Sequence, residues 1–134
     1  MKNIFLFMAL AFSCCVFATD EKKTAVDVYK ADTAMVAGKL VRYYQTLSSP
    51  CIMVQILVPG GGGAASNSKK FCNVSGKSFS DDFSEVILDR GEFSNEGLSL
   101  TLKLMPLTEG PDVVEVCSFK IEGEALSGPK CSVK

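Results

Sequence analysis

Three consecutive residues, Arg42, Tyr43 and Tyr44, set a guanidinium beside two phenols in a chain of 134 residues that contains neither histidine nor tryptophan. A guanidinium holds carboxylates through paired hydrogen bonds, and it favours the ionised form of a neighbouring phenol. Tyrosinate is one of the few protein ligands for haem iron where imidazole is lacking, and methionine sulfur is another; Met35, Met53 and Met105 carry that sulfur in this chain. If the stretch is a strand, adjacent residues point to opposite faces. Arg42 and Tyr44 then share one face. Tyr43 goes inward with Val41, because burying a lone guanidinium is costly. Arg42, Tyr44 and Met53 are therefore the candidate ligand-binding residues.

The missing histidine also closes off chemistry. No Ser-His-Asp or Cys-His arrangement can form, and no imidazole can hold a metal. Asp81, Asp82, Glu85, Asp89 and Glu92 offer carboxylates of the type a glycosidase uses as acid and base, but a domain this small has little room for a sugar cleft, so they read as a solvated acidic turn. "SGKS" at Ser75–Ser78 matches only the end of a phosphate-binding loop, since Phe71 stands where the motif needs glycine. "NVS" at Asn73 is a glycosylation acceptor only in a eukaryotic secretory pathway. No catalytic and no metal-ligating residue is assigned, and the chain reads as a non-enzyme.

The elements that position these residues follow from periodicity. "LSLTLKL" alternates Leu98, Leu100, Leu102 and Leu104 with polar residues, the pattern of a half-buried strand. "VVEVCSFKIEGE" puts Cys117, Phe119 and Ile121 on one face of a second strand, with a bulge or a change of packing partner expected near Val116, where the phase breaks. The apolar run Ile52 to Val58 predicts an inner strand covered on both faces. "KLVRYYQTL" pairs with it as a hairpin through "SSP"; the alternative is an amphipathic helix over Asp32 to Leu47. Frequent turn signals between short strands predict a small all-β or β-rich fold, an antiparallel sandwich or barrel, with that helix giving an α+β variant. The glycine-rich stretch from Pro59 to Lys70 reads as a mobile loop.

The amino terminus bears on compartment. Lys2 precedes an apolar run from Ile4 to Phe17, the length of a signal-peptide core and too short to span a bilayer, with cleavage expected after Ala18. The second reading takes Cys14 or Cys15 as the lipid-modified cysteine of a lipoprotein, against which Phe12 stands where a small residue is wanted. Residues 19–134 then form one exported domain, periplasmic or extracellular, with thirteen cations, fifteen carboxylates and no basic field for nucleic acid. Four cysteines remain in it: Cys51, Cys72, Cys117 and Cys131. An even number in a small exported domain implies two disulfides. Of the three pairings, sequence proximity favours Cys51 with Cys72 and Cys117 with Cys131.

The short precursor, the "RYY" stretch, the glycine-rich loop and the four remaining cysteines together resemble the small exported haemin-binding proteins of Gram-negative bacteria. That resemblance implies binding of haemin or a similar apolar ligand, with haem as the one cofactor suggested. With histidine missing, the porphyrin face and propionates are the groups left to be recognised. The alternative is a protein-binding module, in which the Gly60–Lys70 loop enters an exported partner, as inhibitors of lysozymes or toxins do.

The cysteine count predicts that the exported protein carries no free thiol. Thiol counting under denaturing, non-reducing conditions should find only traces, and reduction should cost the fold several kcal/mol; a stoichiometric free thiol would contradict the assignment.

Overall fold

The computed structural model describes residues 27–134, so the expected signal segment, its cleavage site and Cys14 and Cys15 lie outside the described residues. Ten strands follow in order: β1 (Val28–Val36), β2 (Lys39–Thr46), β3 (Ser49–Leu57), β4 (Ala65–Phe71), β5 (Asn73–Val74), β6 (Lys77–Ser78), β7 (Phe83–Phe93), β8 (Gly97–Pro106), β9 (Val113–Glu122) and β10 (Ala125–Val133). β1 to β4 make one antiparallel sheet in chain order, here sheet 1, and β7 to β10 make the second, sheet 2. β5 and β6 form a small hairpin between them. Among the described residues there is no helix. The fold is all-β.

One core lies between the sheets. Leu98, Leu100, Leu102 and Leu104 are all buried, as their alternation requires, and they meet Val41, Ile52, Val54 and Ile56 from sheet 1. Burying each such side chain is worth about 1.5–3 kcal/mol. The hairpin β1–β2 turns through Ala37 and Gly38, both at positive φ (48° and 76°), the backbone that a two-residue turn of this hand demands.

The join between the sheets is made along the free edge of β7. That strand bonds β8 on one side only, so the backbone groups on its other side need partners. Side chains from sheet 1 supply them. Gln45, 3% exposed, accepts from the Leu88 amide at 2.9 Å and donates to the Val86 carbonyl at 2.9 Å and the Pro50 carbonyl at 3.0 Å. The Gly91 amide bonds the Tyr43 hydroxyl, and Lys30 Nζ donates to the Asp89 carbonyl. Three side chains thus stand in for a missing strand. Gly91 is required for this: a Cβ there would lie 2.3 Å from the Tyr43 ring.

Both disulfides form as favoured, Cys51–Cys72 and Cys117–Cys131. Each ties an edge strand to its inner neighbour: Cys72 follows β4, and Cys131 on β10 faces Cys117 on β9 directly. Closing loops with sequence separations of 21 and 14 residues is worth about 3 kcal/mol each in the chain-entropy model.

Several expectations are corrected. The favoured strand reading of "KLVRYYQTL" holds, as β2 paired with β3, and the alternative helix over Asp32 to Leu47 does not form: β-branched neighbours and Gly38 favour the β1–β2 hairpin, and β1 itself was not anticipated. Of the two alternatives near Val116 the bulge does not occur, since β8 and β9 stay in register throughout, and the change of packing partner does. The phase breaks there because Glu115 faces inward, 4% exposed, with both carboxylate oxygens on the Ser75 hydroxyl at 3.1 and 3.2 Å. The glycine-rich loop is shorter than Gly60–Lys70, because Ala65 onward is the edge strand β4. What remains is held by backbone bonds from Val58 to Ala64, Gly61 to Val58 and Ala64 to Gly61. Cys51–Cys72 lies at the opposite end of the β3–β4 hairpin from that loop. The run from Ile52 is an inner strand, as expected; its core-facing residues are buried, and on its outer side Gln55 and Leu57 are buried as well, while Met53 is half-buried.

Two outcomes follow. Gln45→Leu strands two buried backbone groups, the Leu88 amide and the Val86 carbonyl, each costing about 1–3 kcal/mol, and leaves the half-buried Pro50 carbonyl to water, so urea unfolding should show a loss of at least roughly 2 kcal/mol; an unchanged midpoint would contradict the bridging role. Burial, and to a lesser extent Asp32, hold the Tyr43 hydroxyl's pKa above its ordinary value, against the opposing pull of the Gly91 amide. Below pH about 10 that contribution is intact, and as pH rises further the unfolded chain ionises first, so stability falls. Tyr43→Phe should flatten the decline between pH 9 and 11, and an equally steep decline would assign it to other groups.

Candidate functional site

With Gln45, Tyr43 and Val41 directed into the core, strand alternation turns Arg42 and Tyr44 to the outer face of sheet 1. Met53 stands opposite Tyr44 in the β2–β3 register. The structure therefore brings the three candidate residues, Arg42, Tyr44 and Met53, onto one surface. Each is half-buried. The Arg42 guanidinium lies over the Tyr44 ring, 5.6 Å from its centroid. Its Nε and Nη2 donate to Gln55 Oε1 at 3.1 and 2.5 Å, and Nη2 also reaches the Gly63 carbonyl at 3.2 Å. Gln55 in turn donates to Ser68 Oγ at 3.1 Å. These acceptors are all neutral. They orient the guanidinium and leave its charge unopposed, and they draw the glycine-rich loop down onto the same face.

Sequence reasoning missed one residue of this surface. Lys70 pairs with Met53 in the β3–β4 register, so it continues the row that contains Tyr44. It was passed over because its segment read as loop. The signal that could have found it is the stretch Ala65–Phe71, where Phe71 closes a strand next to Cys72.

Beside this platform runs an apolar groove of about 390 Å³, lined by Met35, Leu40, Leu57, Val58 and Pro59, with Ser66 and Glu124 at its margin. Met35 is 64% exposed and Val58 39%. Exposed thioether and aliphatic surface of this kind on an outer sheet face is unusual in a fold that solvates its outer faces. Glu124 comes from the β9–β10 turn; the hydrogen bond and charge of Lys39 hold its carboxyl below the usual carboxylate range, burial opposes this, and the Ser66 hydroxyl assists. Asn67 fixes the same turn through the Glu124 carbonyl at 2.9 Å.

A second cavity, also about 390 Å³, opens at the other end of the sandwich between Tyr29, Leu47, Phe79 and Phe83. None of the candidate residues lines it. The acidic residues considered for catalysis do not converge: Asp82 accepts the Ser78 amide at 2.6 Å and closes a turn, while Glu85, Asp89 and Glu92 spread along exposed positions of β7. Ser75 and Gly76 form the turn of the β5–β6 hairpin, which leaves the "SGKS" stretch without the helix a phosphate loop requires. Among the described residues no group of three or more acidic or cysteine side chains is placed to hold a metal ion.

The outer face thus sets an aromatic ring, a thioether and a guanidinium side by side. No helix among the described residues is long and apolar enough to cross a membrane. Comparison with known proteins finds no matching family model, no curated relative and no solved structure similar to this chain.

Proposed function

We propose that the protein is a non-enzymatic binding protein of an oxidising, exported compartment, and that it takes up an apolar ligand such as haemin on the outer face of sheet 1. One observation carries the reading: Tyr44 and Met53 are partly exposed on a sheet face where polar side chains would be expected, and an apolar groove opens on the far side of the neighbouring Arg42–Gln55 row. The two disulfides support the compartment, since such bonds persist where the surroundings are oxidising. Haemin is the lead compound because it joins an apolar plane to carboxylates that Arg42 can meet. Catalysis has no support in a chain without histidine whose carboxylates are dispersed. The inhibitor reading has less behind it, because the glycine-rich loop is drawn onto the sheet by Arg42 and most of Gly60–Lys70 belongs to an edge strand.

Haemin titration followed by Soret absorbance checks this. Wild type should bind with a defined stoichiometry, Tyr44→Phe should shift the Soret band or weaken binding, and Tyr43→Phe should change stability alone, by about 1 kcal/mol for its lost hydrogen bond. Equal spectra and affinities for wild type and both variants would remove the tyrosine from the site.

A further inference from the structure

Charge is divided unevenly between the two sheets. The chain as a whole has a net charge of −1. The strands of sheet 1 nevertheless carry five cations, Lys30, Lys39, Arg42, Lys69 and Lys70, against the single carboxylate of Asp32. Asp32 pairs with the inward-facing Tyr43, so it lies on the core side of its strand. The strands of sheet 2 carry four cations and five carboxylates. Their outer face is of mixed sign.

On the outer face of sheet 1 the rows read Ala31, Tyr44, Met53, Lys70 and, beside it, Thr33, Arg42, Gln55, Ser68. Arg42 and Lys70 are the charges in those rows. Among the described residues the ion pairs are Lys39 with Glu124, Arg90 with Glu92 and Lys103 with Asp112, so neither of the two outer cations is matched to a carboxylate. The next outward position on β2 after Arg42 is Leu40, roughly 6.6 Å away at the strand repeat, and Leu40 lines the apolar groove. Two unopposed cations therefore adjoin apolar surface. A carboxylate at Arg42 and Lys70 meets charge-assisted donors, and the Glu124 carboxylate at the groove margin is already paired with Lys39.

We infer that the ligand of this face is an amphipathic carboxylate, whose acid group is held between Arg42 and Lys70 and whose apolar body covers Tyr44 and Met53 and enters the groove. The inference rests on the apolar-ligand reading above and narrows it to a class. A fatty acid and a porphyrin propionate share this chemistry, and they differ in the body attached to the acid.

Two matched pairs of probes separate the possibilities by calorimetry at low salt: dodecanoate against dodecanol, below micelle-forming concentrations, and haemin against its dimethyl ester. The acid should bind about tenfold tighter than its neutral counterpart in at least one pair, a difference of about 1.4 kcal/mol, and the pair that shows it identifies the body. Raising the salt should shrink that advantage. Lys70→Gln, at an exposed position that makes no contact with the core, should reduce it several-fold, Arg42→Gln should reduce it further, and Lys103→Gln on sheet 2 should leave it unchanged. Equal affinity of acid and neutral probe in both pairs would overturn the carboxylate inference and leave an apolar site standing. Failure of all four probes to bind would overturn the apolar-ligand reading itself.

Discussion

The architecture depends on how the free edge of one strand is satisfied. β7 ends sheet 2, and a strand edge facing the core cannot leave its amides and carbonyls to water. The Gln45 carboxamide meets the Leu88 amide and the Val86 carbonyl, which lie two residues apart and so point the same way, much as a neighbouring strand would. Because side chains alternate strictly along a strand, fixing Gln45 inward fixes Tyr43 and Val41 inward as well, and Arg42 and Tyr44 outward. A slip of one residue would exchange the faces. The candidate site is thus oriented by a polar contact on the opposite side of its own sheet.

The remaining edges are protected by other means. β10 carries Pro129 and a register shift between Ser127 and Lys130, while β4 carries Lys69 and Lys70. The disulfides hold these same two strands to their sheets. β1 has the least burial of the long strands and turns Lys30 and Asp32 toward the core side, a placement that discourages pairing with another chain. Stability and surface chemistry are therefore linked: Lys70 both protects an edge and extends the cationic row beside Tyr44.

How much of this was legible in the sequence varied with the physics behind each element. The leucine alternation of β8 is a strong local signal, and it specified its strand fully. The same holds for Cys117, Phe119 and Ile121, yet Glu115 in that strand hid the phase, because its inward position depends on Ser75 from a distant hairpin. β1 and β4 gave little signal, since edge strands bury one or two side chains and need no apolar alternation. Arg42 and Tyr44 could be assigned to one face from the cost of burying a guanidinium. Lys70 could not, because its place beside Met53 is set by hairpin register. The roles of Gln45 and Gly91 are tertiary and leave no local mark.

The outer face of sheet 1, with its thioether and phenol groups, apolar groove and two cations, is where we propose that an amphipathic anion binds, and the chain offers a natural contrast at its other end, where Leu47 is 70% exposed beside a hydroxyl-rich cavity. Methyl resonances distinguish the two directly. With methyl-labelled methionine and leucine, addition of haemin should shift or broaden Met53, Met35 and Leu40 while Leu47 and Leu107 stay in place. Perturbation confined to Leu47 and Leu107, with the methionines of sheet 1 unmoved, would contradict the assignment of the outer face as the binding surface.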